Sequence, residues 1–135
     1  DCGIGVKIYV AFIFGCAILP KEAAWKSIPE TNYPYGKAWP LIVFTISEKF
    51  DLAVIDEGSG YLRSAWKVKK NWLGKDETRT QVTVRVESKE PLRIRIRAKK
   101  QKWAVLIDNW QDAGNDKALE NELITELQTR LREIK

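Results

Sequence analysis

The stretch FDLAVIDEGSGYLRSAWKV, residues 50–68, decides how this chain is read. Residues 52–55 are apolar and strand-like, residues 56–60 are acidic and glycine-rich, and residues 61–68 are strand-like again. Glycine and aspartate supply the backbone freedom that a tight reversal needs, so the stretch reads as a β-hairpin. In its second arm a period of two places Leu62, Ser64, Trp66 and Val68 on one face and Tyr61, Arg63, Ala65 and Lys67 on the other. Trp66 is therefore expected to anchor the core.

Working outward, residues 78–87 form the clearest strand. Val82, Val84 and Val86 point one way, and Arg79, Gln81, Thr83 and Arg85 the other. Ser88-Lys-Glu-Pro91 turns the chain, after which Leu92, Ile94, Ile96 and Ala98 alternate with Arg93, Arg95, Arg97 and Lys99. Such alternation means one buried and one wet face, as antiparallel sheets commonly have. The strand continues through residues 103–107 or breaks there into a further short one.

Upstream, residues 38–50 read as a helix with Pro40 in its first turn, where the missing N–H is harmless. Trp39, Ile42, Val43, Ile46 and Phe50 form its apolar stripe. Downstream, residues 112–116 read as a turn in which Asn115 or Asp116 caps a helix over residues 118–134. That helix carries a leucine stripe at Leu119, Leu123, Leu127 and Leu131, which fits a core role better than a coiled coil. The expected architecture is α+β, in the order α-β-β-β-β-α. A four-stranded or slightly larger antiparallel sheet has both helices on its apolar face, all within a single domain over residues 37–135.

Ahead of the domain, Lys7 is followed by an apolar run over residues 8–19 that stops at Pro20. The run falls short of the roughly 20 residues a membrane-spanning helix needs. A basic residue before a short apolar region has the form of a signal peptide. Ile13-Phe14-Gly15-Cys16 resembles a bacterial lipobox, in which Cys16 receives the lipid that anchors the protein. Residues 1–19 are read as this leader and residues 20–36, rich in proline, as a linker. The competing reading is a buried N-terminal strand, since Val6, Ile8, Val10, Phe12 and Phe14 alternate.

Composition narrows the chemistry. The 135 residues carry a net charge of +5, six tryptophans, two cysteines and no histidine. Without histidine the commonest general base and metal ligand is missing, and Ser59 and Ser64 lack a triad partner. Asp56 and Glu57 sit where a turn wants acidic residues, and Gly58-Ser-Gly60 is a turn, not a phosphate loop. No catalytic residue, metal site or cofactor is expected. The candidate binding face is basic: Arg63, Lys67, Arg79, Arg85, Arg93, Arg95, Arg97 and Lys99. It suits an acidic protein surface, phosphates or anionic lipid headgroups, set against the plain alternative of a solvated sheet face. Nucleic acid is not expected, because only Tyr61 is placed there to stack on bases.

The tryptophan-bearing helix, then LAVIDEGSGYLRSAWKV, then RTQVTVRV resembles the repeated domain of BamC-type (NlpB-like) outer-membrane lipoproteins. Asp56, Gly60, Trp66 and Arg79 stand at the positions that carry the likeness, which covers residues 38–135. The resemblance implies a helix-grip-like fold and a non-enzymatic accessory or docking role in outer-membrane protein assembly or envelope maintenance. It also implies a location on the periplasmic side of the outer membrane. It departs from the family in having one such domain where BamC has two. A helix-grip pocket holding a small apolar or anionic ligand is the alternative.

Overall fold

The computed structural model describes residues 25–134; the leader at residues 1–19, its Cys16 and the first part of the linker lie outside them. Among the described residues the chain is α+β, with seven strands and two helices. They run β1 (Lys26–Thr31), α1 (Tyr35–Ser47), β2 (Leu52–Asp56), β3 (Tyr61–Ser64), β4 (Lys67–Lys70), β5 (Asp76–Lys89), β6 (Leu92–Ala104), β7 (Asn109–Asn115) and α2 (Lys117–Arg132). All strand pairs are antiparallel in one sheet. The long β5–β6 hairpin is its spine. Two short strands lie end to end along each side, β3 and β4 against β5, β1 and β7 against β6, and β2 adds outside β3.

The sheet thus has seven strands where four or slightly more were expected, and a strand precedes the first helix. β1 falls in the segment read as a linker, yet it pairs with β6 and buries Ile28 opposite Ile94. Only that one large apolar side chain marks it, too little for a visible alternation. β7 occupies the stretch read as a turn. Its side chains are mostly exposed, so pairing with β6 holds it in place while no apolar pattern announces it.

The core lies between the helices and one face of the sheet. Leu62, Val82, Val84, Val86, Leu92, Ile94, Ile96 and Ala98 point up from the strands. Trp39, Ile42 and Ile46 of α1 and Leu123, Leu127 and Leu131 of α2 close over them. Helix α1 begins at Tyr35, earlier than expected, so Pro40 is interior and the Gly36 carbonyl loses its helical donor. Helix α2 is capped by Asp116, whose carboxylate accepts from the Leu119 N–H at 3.1 Å. Arg130 ties the helices together, donating to Thr45 Oγ1 at 2.9 Å, Glu48 at 2.7 Å and Glu126 at 2.8 Å.

The sheet is narrowed at one rank, Val82 paired with Ala98. Here both side strands are interrupted, and two side chains supply the missing hydrogen bonds. On the β5 side, buried Ser64 Oγ accepts from the Val82 N–H at 2.9 Å and donates to the Ala65 carbonyl at 2.9 Å. On the β6 side, the carboxylate of buried Glu120 accepts from the Ala98 N–H at 2.8 Å, and the Ala98 carbonyl accepts from the Asp116 N–H at 2.8 Å. A buried backbone group left without a partner costs about 1–3 kcal/mol, so these substitutes are structural necessities.

The interruption between β3 and β4 has a further consequence. Arg63 pairs with Thr83 and Lys67 with Thr80, four steps along one strand against three along the other. The extra residue inverts the parity, so everything after it changes face. Trp66 leaves the core side and Lys67 joins it, the reverse of the strict alternation.

Candidate binding face

The helices leave the other face of the sheet uncovered among the described residues, and cross-strand pairing sets its side chains in ranks. Tyr61, Arg85, Arg95 and Ser27 form one rank, and Arg63, Thr83 and Arg97 the next. Gln81, Lys99 and Asn115 follow, then Val68, Arg79, Gln101 and Asp112. Of the eight basic residues expected on this face, seven alternate outward as read: Arg63, Arg79, Arg85, Arg93, Arg95, Arg97 and Lys99. Lys67 does not. After the parity change it lies on the helix side, where its ammonium donates to the Lys49 carbonyl at 2.9 Å and sits 5.3 Å from the centre of the Phe50 ring. It lines an open cleft of about 570 Å³ with Lys69, Lys100 and Glu122.

Aromatic rings stand among these arginines. The Arg79 guanidinium is sandwiched between Trp66 at 4.2 Å and Trp110 at 4.5 Å, and its Nε donates to Gln101 Oε1 at 2.7 Å. Burial in this stack pushes its pKa below the ordinary value, and an arginine stays charged regardless. Trp110 meets Trp103 edge to face at 5.3 Å. A second stack has Arg97 at 4.6 Å and Arg85 at 5.7 Å over Trp25, with Arg85 also 5.8 Å from Tyr61. Tyr61 is thus not alone. Trp25, Trp66 and Trp110 share its face, which corrects the sequence-based argument against base stacking. Trp66 was hidden by the register shift, Trp110 by the unmarked strand β7, and Trp25 by the segment taken for a linker. A tryptophan pair flanking one turn, Trp103 and Trp110, was the available signal for that hairpin.

Arg63 and Arg97 belong to one rank. They flank Thr83 on adjacent strands, and the buried Nε of each has no hydrogen-bond partner among the described residues. Strand spacing puts their backbones roughly 10 Å apart. A guanidinium fork suits a carboxylate or a phosphate. Arg95 is partly neutralised by Glu87 at 2.9 Å.

The remaining candidates have structural roles. Asp56 accepts from the Ser59 N–H at 3.4 Å and from the Gly60 N–H through its carbonyl at 2.9 Å, which accounts for the acid in the turn. Trp39, Val84 and Ile96 are packed in the core while Trp66 lies across the sheet. Among the described residues there is no cluster of three or more acidic, cysteine or histidine side chains able to hold a metal, and no helix long and apolar enough to cross a membrane. No protein-family model and no curated protein matches the chain.

Proposed function

We propose that this chain is a non-enzymatic docking module of the bacterial cell envelope. In this reading it is a BamC-type lipoprotein domain, held through Cys16 on the periplasmic side of the outer membrane, and its arginine–tryptophan sheet face binds an acidic surface of another envelope protein. The observation that carries the docking surface is the Arg63–Thr83–Arg97 rank on the sheet face the helices leave uncovered, where the buried Nε of each arginine has no hydrogen-bond partner among the described residues. Arginine and tryptophan are also the residue types that dominate binding energy at protein interfaces. Two of the residues behind the resemblance, Trp66 and Arg79, touch on this face, which supports reading it as the working surface of such a domain. The mechanism is docking: the stacked rings hold the guanidinium groups in place, so less freedom is lost on binding.

A photo-crosslinking residue at Ser27, exposed on this face, tests the reading in whole cells, with the exposed Thr129 on α2 as the control position. Adducts from position 27 that are absent from position 129 and vanish in R63S/R97S support it. Equal adducts from both positions, or adducts indifferent to the two arginines, refute it. The presence of Trp25, Trp66 and Trp110 on the face favours single-stranded nucleic acid as the second reading. Salt-sensitive binding to oligonucleotides with loss in R63S/R97S, and no protein adduct, decides for it. Palmitate labelling lost in Cys16→Ala checks the anchor separately.

A further inference from the structure

Two hairpin ends carry apolar side chains that the fold does not need. In the β4–β5 turn Trp72 is 91% exposed and Leu73 60%. In the β6–β7 turn Val105 is 80%, Leu106 100% and Ile107 59% exposed. Hairpin turns normally take glycine, asparagine or aspartate, and exposed apolar clusters mark contact sites. Both turns are held by their own polar bonds. Asn71 Oδ1 accepts from the Leu73 N–H at 2.9 Å and the Lys75 N–H at 3.1 Å, and in the second turn the Val105 carbonyl accepts from the Asp108 N–H at 3.3 Å. The apolar side chains therefore project from formed turns instead of filling the core.

Pairing of Thr78 with Lys102 puts both turns at the same end of the β5–β6 spine. Trp103 and Trp110 stand immediately behind the second turn. Residues 67–79 and 99–112 together hold eight lysines and arginines against four carboxylates. Strand β1 is antiparallel to β6, with Lys26 opposite Ile96 and Thr31 opposite Leu92, so it begins midway along β6 and runs away from these turns.

We infer that the two turns, residues 72–73 and 105–107, insert together into the interface of a bilayer containing anionic phospholipid, with the lysines behind them against the headgroups and the tryptophans at the boundary. Apolar tips backed by tryptophan and lysine match the layers of a membrane interface: hydrocarbon, aromatic belt, anionic surface. A protein groove would require none of that order. The inference shares the envelope setting of the proposed function but uses a different surface. Tip variants should leave the crosslink from position 27 intact if both are right.

The test is cosedimentation of the full chain with vesicles of phosphatidylcholine alone or mixed with phosphatidylglycerol, comparing wild type with W72S/L73S and L106S/I107S. Circular dichroism confirms that each variant is folded. Binding should favour the anionic vesicles and weaken with salt, and each tip pair should lower the partition coefficient at least about tenfold. Brominated acyl chains should quench a tryptophan component that is missing in W72F, while W72F still binds. Unchanged partitioning in both serine variants overturns the inference. So does a Trp72 component already shielded from acrylamide before vesicles are added, which would mean that another segment of the chain or a second copy covers the tips.

Discussion

Glu120 offers the sharpest test of how the sheet is held at its narrow rank. It is 1% exposed, and its carboxylate accepts from the Ala98 N–H at 2.8 Å. Burial pushes its carboxyl above the ordinary value of 4.5, with Asp116 adding to the rise and the Ala98 N–H, Lys26 and Lys117 opposing it. Two substitutions separate the hydrogen bond from the charge. Glu120→Ala leaves the Ala98 N–H buried without an acceptor, which costs about 1–3 kcal/mol at any pH, with the lost packing of the side chain in addition. Glu120→Gln keeps an acceptor and removes the buried charge. The sign follows from linkage. Below the ordinary carboxyl pKa both folded and unfolded wild type are protonated, and the charge contributes nothing. As pH rises from there through the raised folded value, the unfolded chain ionises first and the native state loses stability. The stability of Glu120→Gln relative to wild type should therefore improve from acid toward neutral pH and then level off. Urea unfolding of the three proteins across that pH range measures both effects. Subtracting wild type cancels the other carboxylates, including those paired with Lys49 and Arg130. A difference that is flat or falls with pH, or a Glu120→Ala cost below about 0.5 kcal/mol, would refute the account of the rank.

The matching position on the other side gives a second prediction. Ser64→Ala should cost about 1–3 kcal/mol and speed hydrogen exchange at the Val82 amide, whose acceptor is the Ser64 hydroxyl. An unchanged Val82 exchange rate would mean that the amide finds another partner. At the β2–β3 turn, Gly60 has φ 71° and an added Cβ would stand 2.7 Å from Val86 Cβ. Gly60→Ala should therefore destabilise by roughly 1–3 kcal/mol in denaturant unfolding, and a loss under about 0.5 kcal/mol would contradict the close approach.

How much was legible in advance depends on where each signal lives. The valines at 82, 84 and 86, the alternation from Leu92 to Lys99 and the leucine stripe of α2 are local patterns. They specified the spine of the sheet, its buried face and the helix that covers it, because a period of two or of three to four residues is a property of the chain alone. The turn at Gly60 and the cap at Asp116 were legible for the same reason, and so were seven of the eight basic residues, since they sit on β5 and β6 or, for Arg63, ahead of the β3–β4 break. The rest depended on partners distant in sequence. β1 and β7 carry almost no apolar pattern and exist because β6 offers them an edge. The parity change after Arg63 arises only when the β3–β4 arm meets β5, and it alone exchanges Trp66 with Lys67, making the stack around Arg79. Local alternation thus determined a basic face. Long-range pairing decided which aromatics share it, which arginines flank Thr83, and that two apolar turns end side by side, since hydrogen-bond register is settled between strands and not within them.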